Sequence, residues 1–200
     1  AFVCRLREAL NAEGKPVVAA LAPKTSAQQR GLLYEAHDYA LLSKAANAVF
    51  LMTYEWGYVY GEPQAIAPLP QVRAVLDYAL SVTAGENIFL GAPLYAYDWP
   101  LPYEKGRTRA ETFSSQAAVA RARLVGAEIE FDEAARSPCY HYFDKMRREH
   151  VVWFEDARSL RAKIALAAEK GLQGVGFWQA GRELAQAWPL LDALVTLETL

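Results

Sequence analysis

Four apolar, β-prone runs divide this chain, and each ends in a cluster of proline, glycine or aromatic residues. They predict strands over residues 17–22, 48–54, 88–95 and 173–178, of which the last rests on the shortest run. Near-continuous apolar runs are typical of strands that are buried on both faces, as in parallel sheets. Helical patterns separate the runs, and this alternation indicates a parallel α/β architecture.

The helical patterns begin and end at recognisable residues. Asp38 and Asp156 can cap the helices that follow them, and Pro68 with Pro70 suits a first helical turn. A last helix is expected after the Trp-Pro pair at 188–189. The chain opens on a helical pattern with no strand before it. Because the helix of a βα unit follows a strand, half of a (β/α)8 barrel fits better than a self-contained doubly wound fold.

Residues 100–154 interrupt the alternation. They contain a helical pattern after Ser114 and short strand candidates around Ile129, at 140–143 and at 151–154. We therefore expect a small α+β insertion over residues 100–154. The flanking residues 1–99 and 155–200 are expected to form the barrel segments.

Charge and composition exclude several classes of function. The 200 residues carry 21 Lys and Arg against 23 Asp and Glu, a formal net charge of −2. This balance predicts binding neither to nucleic acid nor to an anionic membrane. No apolar run approaches the roughly 20 residues of a membrane span, and the N-terminus does not resemble a signal peptide.

The sequence also predicts no cofactor and no metal. It contains neither a GxGxxG nor a Walker sequence, which argues against nucleotide binding. The three histidines lack zinc-ligand spacing, and we interpret Cys4 and Cys139 as free thiols outside any disulfide framework.

Aromatic and acidic residues gather at three of the predicted strand ends, which form the active face of a parallel barrel. A sugar needs an apolar floor for its C–H face and a few directional hydrogen bonds, and these residue types supply both. Packing of the aromatics in the core and in loops is the alternative interpretation. The candidate binding residues are Met52, Tyr54, Glu55, Trp56, Tyr95, Tyr97, Asp98, Trp99 and Trp178.

Together these segments resemble the C-terminal part of a glycoside hydrolase family 18 catalytic domain. Within that family the chain is most similar to bacterial spore cortex-fragment-lytic and LysM-associated glycosidases. The resemblance implies strands five to eight of a (β/α)8 TIM barrel, with the insertion between strand seven and helix seven. It covers nearly the whole chain and rests on residues 20–24, 34–39, 51–56, 91–99, 152–156 and 174–178.

The resemblance also implies a mechanism and roles for two residues. The family acts by substrate-assisted retention, in which the 2-acetamido oxygen attacks the anomeric carbon. Tyr54 matches the tyrosine that hydrogen-bonds that oxygen, and Trp178 matches the tryptophan that forms the floor of the sugar site. The general acid is the Glu of a D-x-x-D-x-D-x-E-type motif, which this sequence lacks and which we expect upstream of residue 1.

The function implied is hydrolysis of β-linked N-acetylglucosamine glycans. Glu55 stands where many family members have Asp, which favours peptidoglycan or short N-acetylglucosamine-containing fragments over crystalline chitin. The implied location is extracellular, in the cell wall or on the spore. The 200 residues alone are expected to be inactive, and to self-associate or to pair with a missing N-terminal half-barrel. A lectin-like barrel without catalysis and a free-standing α/β protein remain as alternatives.

Overall fold

The computed structural model describes residues 1–182 and 184–194 of the chain. A short 3₁₀ helix, Gly85–Asn87, precedes the third strand. The helices and strands are α1 (Phe2–Asn11), β1 (Val18–Leu21), α2 (Tyr39–Ala45), β2 (Ala48–Leu51), α3 (Leu69–Leu80), β3 (Ile88–Pro93), β4 (Tyr95–Pro100), β5 (Glu111–Ser114), α4 (Ser115–Val125), β6 (Glu130–Asp132), β7 (Ser137–Phe143), β8 (Glu149–Trp153), α5 (Ala157–Glu169), β9 (Gly174–Trp178) and α6 (Ala187–Leu194).

The strands form two sheets. β1, β2, β3 and β9 are neighbours in that order, and every pair in this sheet is parallel. The predicted parallel α/β arrangement is therefore confirmed. The second sheet is antiparallel, with the order β5-β4-β8-β7-β6, and its strands lie between Tyr95 and Trp153, so that it begins before residue 100.

Close packing inside the parallel sheet depends on two glycines that face one aromatic ring. A Cβ atom at Gly176 would lie 2.4 Å from the Phe50 ring, and one at Gly91 would lie 2.8 Å from it. Because real Cβ atoms do not approach so closely, only glycine leaves room for this ring between the strands.

The helix-capping residues act as the sequence predicts. The Asp38 side chain accepts a hydrogen bond at the start of α2, and Asp156 forms a reciprocal capping box at the start of α5. Pro70 lies in the first turn of α3. The last helix differs, because α6 begins at Ala187 and includes Pro189 in its first turn. Proline is tolerated there since the first N–H groups of a helix have no intrahelical acceptor.

Two predicted strands are too long at their carboxyl ends. The run over 48–54 forms a strand only as far as Leu51, and the run over 88–95 only as far as Pro93. Tyr95 begins β4 and pairs in the antiparallel sheet instead. Apolar character continues through both junctions, so it does not reveal where the backbone hydrogen bonds change partner.

The core has a larger and a smaller part. The larger cluster contains the apolar residues of the parallel sheet, such as Val49 and Leu90, with those of α3 and α5. The smaller cluster joins the antiparallel sheet to α4 and contains Tyr140 and Phe154. No helix within the described residues is both long enough and apolar enough to cross a membrane.

Candidate functional site

A cavity of about 310 Å³ lies beyond the carboxyl ends of β2 and β9, beside the start of β4. Six of the nine residues predicted from the sequence line it. They are Met52, Tyr54, Glu55, Tyr95, Tyr97 and Trp178.

Glu55 is held by hydrogen bonds from β4. Its Oε1 accepts a hydrogen bond of 2.8 Å from the hydroxyl of Tyr97, and the hydroxyl of Tyr95 donates to the same oxygen. Its Oε2 makes no hydrogen bond within the described part of the chain. The Glu55 backbone is left-handed, with φ of 71°, a conformation that costs a non-glycine residue about 1–3 kcal/mol. The turn after β2 thus holds a carboxylate with one oxygen left for a ligand.

Tyr54 forms the adjoining wall. Burial, and then the neighbouring Glu55 carboxylate, raise the pKa of Tyr54 to about 12. The Tyr54 ring meets that of Tyr95 edge to face, with centroids 6.3 Å apart. The preceding residue, Thr53, anchors the turn through a 2.7 Å hydrogen bond to the Gly91 carbonyl. Tyr54 therefore presents a neutral hydroxyl, a hydrogen-bond donor, at physiological pH.

Trp178 provides the apolar part of the site. It is the last residue of β9, and its carbonyl accepts a 2.8 Å hydrogen bond from the Leu94 amide. Its side chain is 54% exposed, unlike the fully buried Trp99. An exposed indole beside a cavity can stack against the C–H face of a sugar.

Three predicted residues lie elsewhere. Trp56 lines a neighbouring cavity of about 640 Å³ that shares Tyr54 and Glu55 with the first. Trp99 is buried in the larger core cluster and donates a 2.9 Å hydrogen bond to the Gly61 carbonyl. Asp98 lies on the opposite face of β4, because successive side chains of a strand point to opposite sides.

The partners of Asp98 are all within the antiparallel sheet and α4. One of its carboxylate oxygens accepts hydrogen bonds of 2.6 Å from Arg121 and from the Tyr142 hydroxyl. The other lies 2.7 Å from His150 Nδ1. The side chain is only 2% exposed, so these groups satisfy it within the fold.

Three residues that the sequence reasoning missed also line the cavity: Thr112, Gln179 and Arg182. Thr112 is opposite Tyr97 in the β4–β5 pairing. Nothing in the sequence predicts that register. Gln179 follows Trp178 directly in the sequence. Its position next to a predicted site residue was therefore a signal that it could line the same cavity.

The described residues contain no group of three His, Cys, Asp or Glu side chains that could hold a metal ion. The chemical groups of the cavity are instead a carboxylate, a guanidinium, phenol hydroxyls and an indole. This combination suits a polar ligand with an apolar face.

Comparison with known proteins identifies the family. The family sequence model described as "Glycosyl hydrolases family 18" matches residues 1–183 of this chain. The chain is 45% identical over 191 residues to the cortical fragment-lytic enzyme of Bacillus subtilis (strain 168), covering 96% of this chain and 44% of that enzyme. It thus spans less than half the length of this relative.

Solved structures agree with the sequence comparison. The Bacillus cereus spore cortex-lytic enzyme SleL matches with a TM-score of 0.92 and 40% identity, over 98% of this chain and 45% of SleL. A chitinase from Chromobacterium violaceum ATCC 12472 matches with a TM-score of 0.86 and 25% identity, over 96% of this chain and 59% of the chitinase. The resemblance predicted from the sequence is confirmed, and the chain belongs to glycosyl hydrolase family 18.

Proposed function

We propose that this chain forms the acetamide-positioning part of a glycosidase that hydrolyses β-linked N-acetylglucosamine glycans by substrate-assisted retention. The observation that carries the proposal is the joint lining of one cavity by Tyr54, Glu55 and Trp178. The names of the relatives, a cortical fragment-lytic enzyme and a spore cortex-lytic enzyme, favour peptidoglycan fragments as the substrate class.

Tyr54 is proposed to orient the internal nucleophile. Its hydroxyl stays protonated at neutral pH and makes no hydrogen bond to another described residue, so it can donate to the acetamide oxygen of a bound sugar. An aligned intramolecular nucleophile reaches effective molarities of about 10⁵–10⁸ M, and misalignment loses part of that advantage. Tyr54 would therefore contribute mainly to turnover.

Glu55 and Trp178 are proposed to bind the same sugar. Two tyrosine hydroxyls fix one oxygen of Glu55, which leaves its Oε2 for a sugar hydroxyl. Charged acceptors form stronger hydrogen bonds than neutral ones. The exposed indole of Trp178 covers the apolar face of the ring. Met52 and Trp56 are proposed to extend these contacts to the edges of the site.

The proton donor is proposed to come from outside these 200 residues, since they contain no D-x-x-D-x-D-x-E-type motif. β1 and β9 each have one neighbour in the described sheet, which leaves an open edge at both sides. Further strands could pair with these edges and close a barrel. On this proposal the parallel strands are strands five to eight, residues 1–99 and 155–200 are barrel segments, and 100–154 are the insertion. The last six residues lie outside the described part of the chain.

A chimera tests the proposal. This chain would replace the matching residues of the Bacillus subtilis cortical fragment-lytic enzyme, and turnover of a fluorogenic N-acetylglucosaminide would be measured. We expect the chimera to be active and the 200 residues alone to be inactive. Tyr54→Phe in the chimera should lower kcat about 100-fold, because the acetamide loses its donor.

Tyr60→Phe is the matched control, since the Tyr60 side chain is 57% exposed and does not line the cavity. Full turnover by the Tyr54→Phe chimera would refute the assigned role. A chimera that binds N-acetylated glycans without cleaving them would favour the lectin-like alternative instead.

A further inference from the structure

Arg182 lines the cavity that Tyr54, Glu55 and Trp178 also line. It lies shortly after β9 and borders both the 310 Å³ cavity and another of about 720 Å³. Its backbone N–H donates a 2.9 Å hydrogen bond to the Gln179 carbonyl, which fixes the turn that carries it. Within residues 1–182 and 184–194, its guanidinium forms neither a hydrogen bond nor an ion pair.

This lack of a partner is unusual among arginines with similar burial. Five arginines of the described chain are half-buried, and the other four have partners. Arg7 donates to two backbone carbonyls, while Arg73, Arg121 and Arg136 each pair with a carboxylate. Arg182 is therefore a half-buried cation beside a cavity, and its five N–H donors have no acceptor among the described residues.

Among the described residues that line the cavity, no carboxylate pairs with Arg182. Glu55 is the other charged residue that lines the 310 Å³ cavity, and the two form no ion pair within 4.0 Å. The Glu55 oxygen Oε1 is instead occupied by two tyrosine hydroxyls. Burial and the Glu55 carboxylate raise the pKa of Tyr97, and the Arg182 charge opposes part of that rise, as expected for a guanidinium near this wall.

We propose that Arg182 binds a carboxylate of the substrate, so that the site prefers N-acetylated glycans that carry an acidic group over neutral ones. This inference rests on the proposed function and deepens it. A guanidinium matches a carboxylate through two parallel hydrogen bonds, which a neutral sugar cannot reproduce. Two sources share this chemistry: a lactyl ether acid on the sugar, as in muramic acid, and the carboxylate of a peptide attached to it.

The test compares ligands that differ in one charge. The affinity of the chimera described above, with cleavage slowed by Tyr54→Phe, would be measured by calorimetry for an N-acetylglucosaminyl–N-acetylmuramic acid disaccharide and for its methyl amide. We expect the free acid to bind about 10-fold to 100-fold more tightly, as for a hydrogen bond between charged partners. The preference should shrink as salt is added. A third ligand, with alanine linked through the lactyl group, places the carboxylate one residue further out and distinguishes the two sources.

Arg182→Gln removes the charge and should bring the ratio of the two affinities close to one. Arg182→Lys keeps the charge without the planar fork and should retain part of the preference. Arg123→Gln removes an exposed positive charge on α4, outside the cavity, and should leave the ratio as in the wild type.

Each remaining outcome counts against the inference. A chimera with Arg182 that binds both ligands equally, or an Arg182→Gln chimera that keeps the preference for the acid, overturns it and leaves the proposed function standing. A chimera that binds neither ligand overturns the inference and the proposed function together.

Discussion

Two acidic groups lie on opposite sides of β4, and they differ in how fully the chain satisfies them. Asp98, on the side of the antiparallel sheet, is 2% exposed and has Arg121, Tyr142 and His150 as partners. Glu55, on the side of the cavity, has one oxygen bound by two tyrosines, and its other oxygen has no hydrogen-bond partner within residues 1–182 and 184–194. A buried polar group that is fully hydrogen-bonded contributes to the fold. Glu55 is an exposed residue, so its second carboxylate oxygen can exchange water for a ligand in the cavity.

The largest expected effect comes from a satisfied pair between α5 and the residues that follow β8. Lys163 of α5 lies 2.8 and 2.9 Å from the two carboxylate oxygens of Glu155, which follows β8, and both side chains are fully buried. Lys163→Met leaves a buried carboxylate without its partner. We expect the free energy of unfolding, measured by urea denaturation, to fall by about 3–5 kcal/mol.

The matched control is Lys170→Met, which removes the partly exposed pair with Asp77 and should cost less than about 1 kcal/mol. A double variant, Lys163→Met with Glu155→Leu, should recover much of the lost stability because no charge remains buried. Equal losses from Lys163→Met and Lys170→Met would contradict the structural role of the buried pair.

The second prediction concerns the hydrogen-bonded cluster around Asp98. Asp98→Ala leaves Arg121, Tyr142 and His150 without their shared acceptor, and we expect about 3 kcal/mol of destabilisation. Glu111→Ala removes the more exposed carboxylate that pairs with the same arginine and should cost less than about 1 kcal/mol. Glycan affinity of the folded fraction should persist in both variants. Loss of that affinity in Asp98→Ala would show that the two sides of β4 are coupled.

The third prediction concerns Glu55, where we expect a loss of glycan affinity with little loss of stability. Glu55→Gln keeps the shape of the side chain and one acceptor, so the free energy of unfolding should change by less than about 1 kcal/mol. Affinity for an N-acetylated glycan should fall about 10-fold, because the ligand loses a charged acceptor. Glu62→Gln, at an exposed position outside the cavity, is the control. A large loss of stability without loss of affinity would assign Glu55 to the fold.

The fold was predictable where local chemistry decides it. Apolar runs and capping residues such as Asp38 and Asp156 act over a few residues, and the parallel sheet and its helices follow from them. The ends of β2 and β3 were not predictable. At Leu94 the chain passes from one sheet to the other without any change in hydrophobicity.

The candidate site was predictable only as a set of strand ends. The sequence Tyr95–Trp99 contains three aromatic residues and an acid, yet the alternation of β4 divides them between two faces. Asp98 faces its own partners, Trp99 is buried, and Tyr95 and Tyr97 reach the cavity. The position of Arg182 beside the cavity depends on long-range packing, which no local sequence pattern encodes. Sequence chemistry therefore indicated which residue types to expect, and the register decided which of them a ligand can reach.

The smallest expected effect is a change in the pKa of one tyrosine on each side of β4, Tyr54 and Tyr142. Burial first, and the Glu55 carboxylate second, raise the pKa of Tyr54 to about 12, whereas an unfolded chain titrates tyrosine near about 10. The folded state therefore binds this proton more tightly. The resulting stabilisation is present below about pH 10 and is lost as the pH rises towards 12.

Carbon NMR of the tyrosine Cζ atoms can follow this titration. Glu55→Gln should lower the pKa of Tyr54 slightly, since burial is the larger cause, and should leave Tyr142 unchanged. Asp98→Ala should instead lower the pKa of Tyr142 and leave that of Tyr54 unchanged, because burial and then Asp98 raise the pKa of Tyr142. A Tyr54 signal that titrates near about 10 in the folded wild type would mean that its hydroxyl is solvated rather than held in the cavity wall. In that case Tyr54 would not be the preformed donor on which acetamide positioning depends.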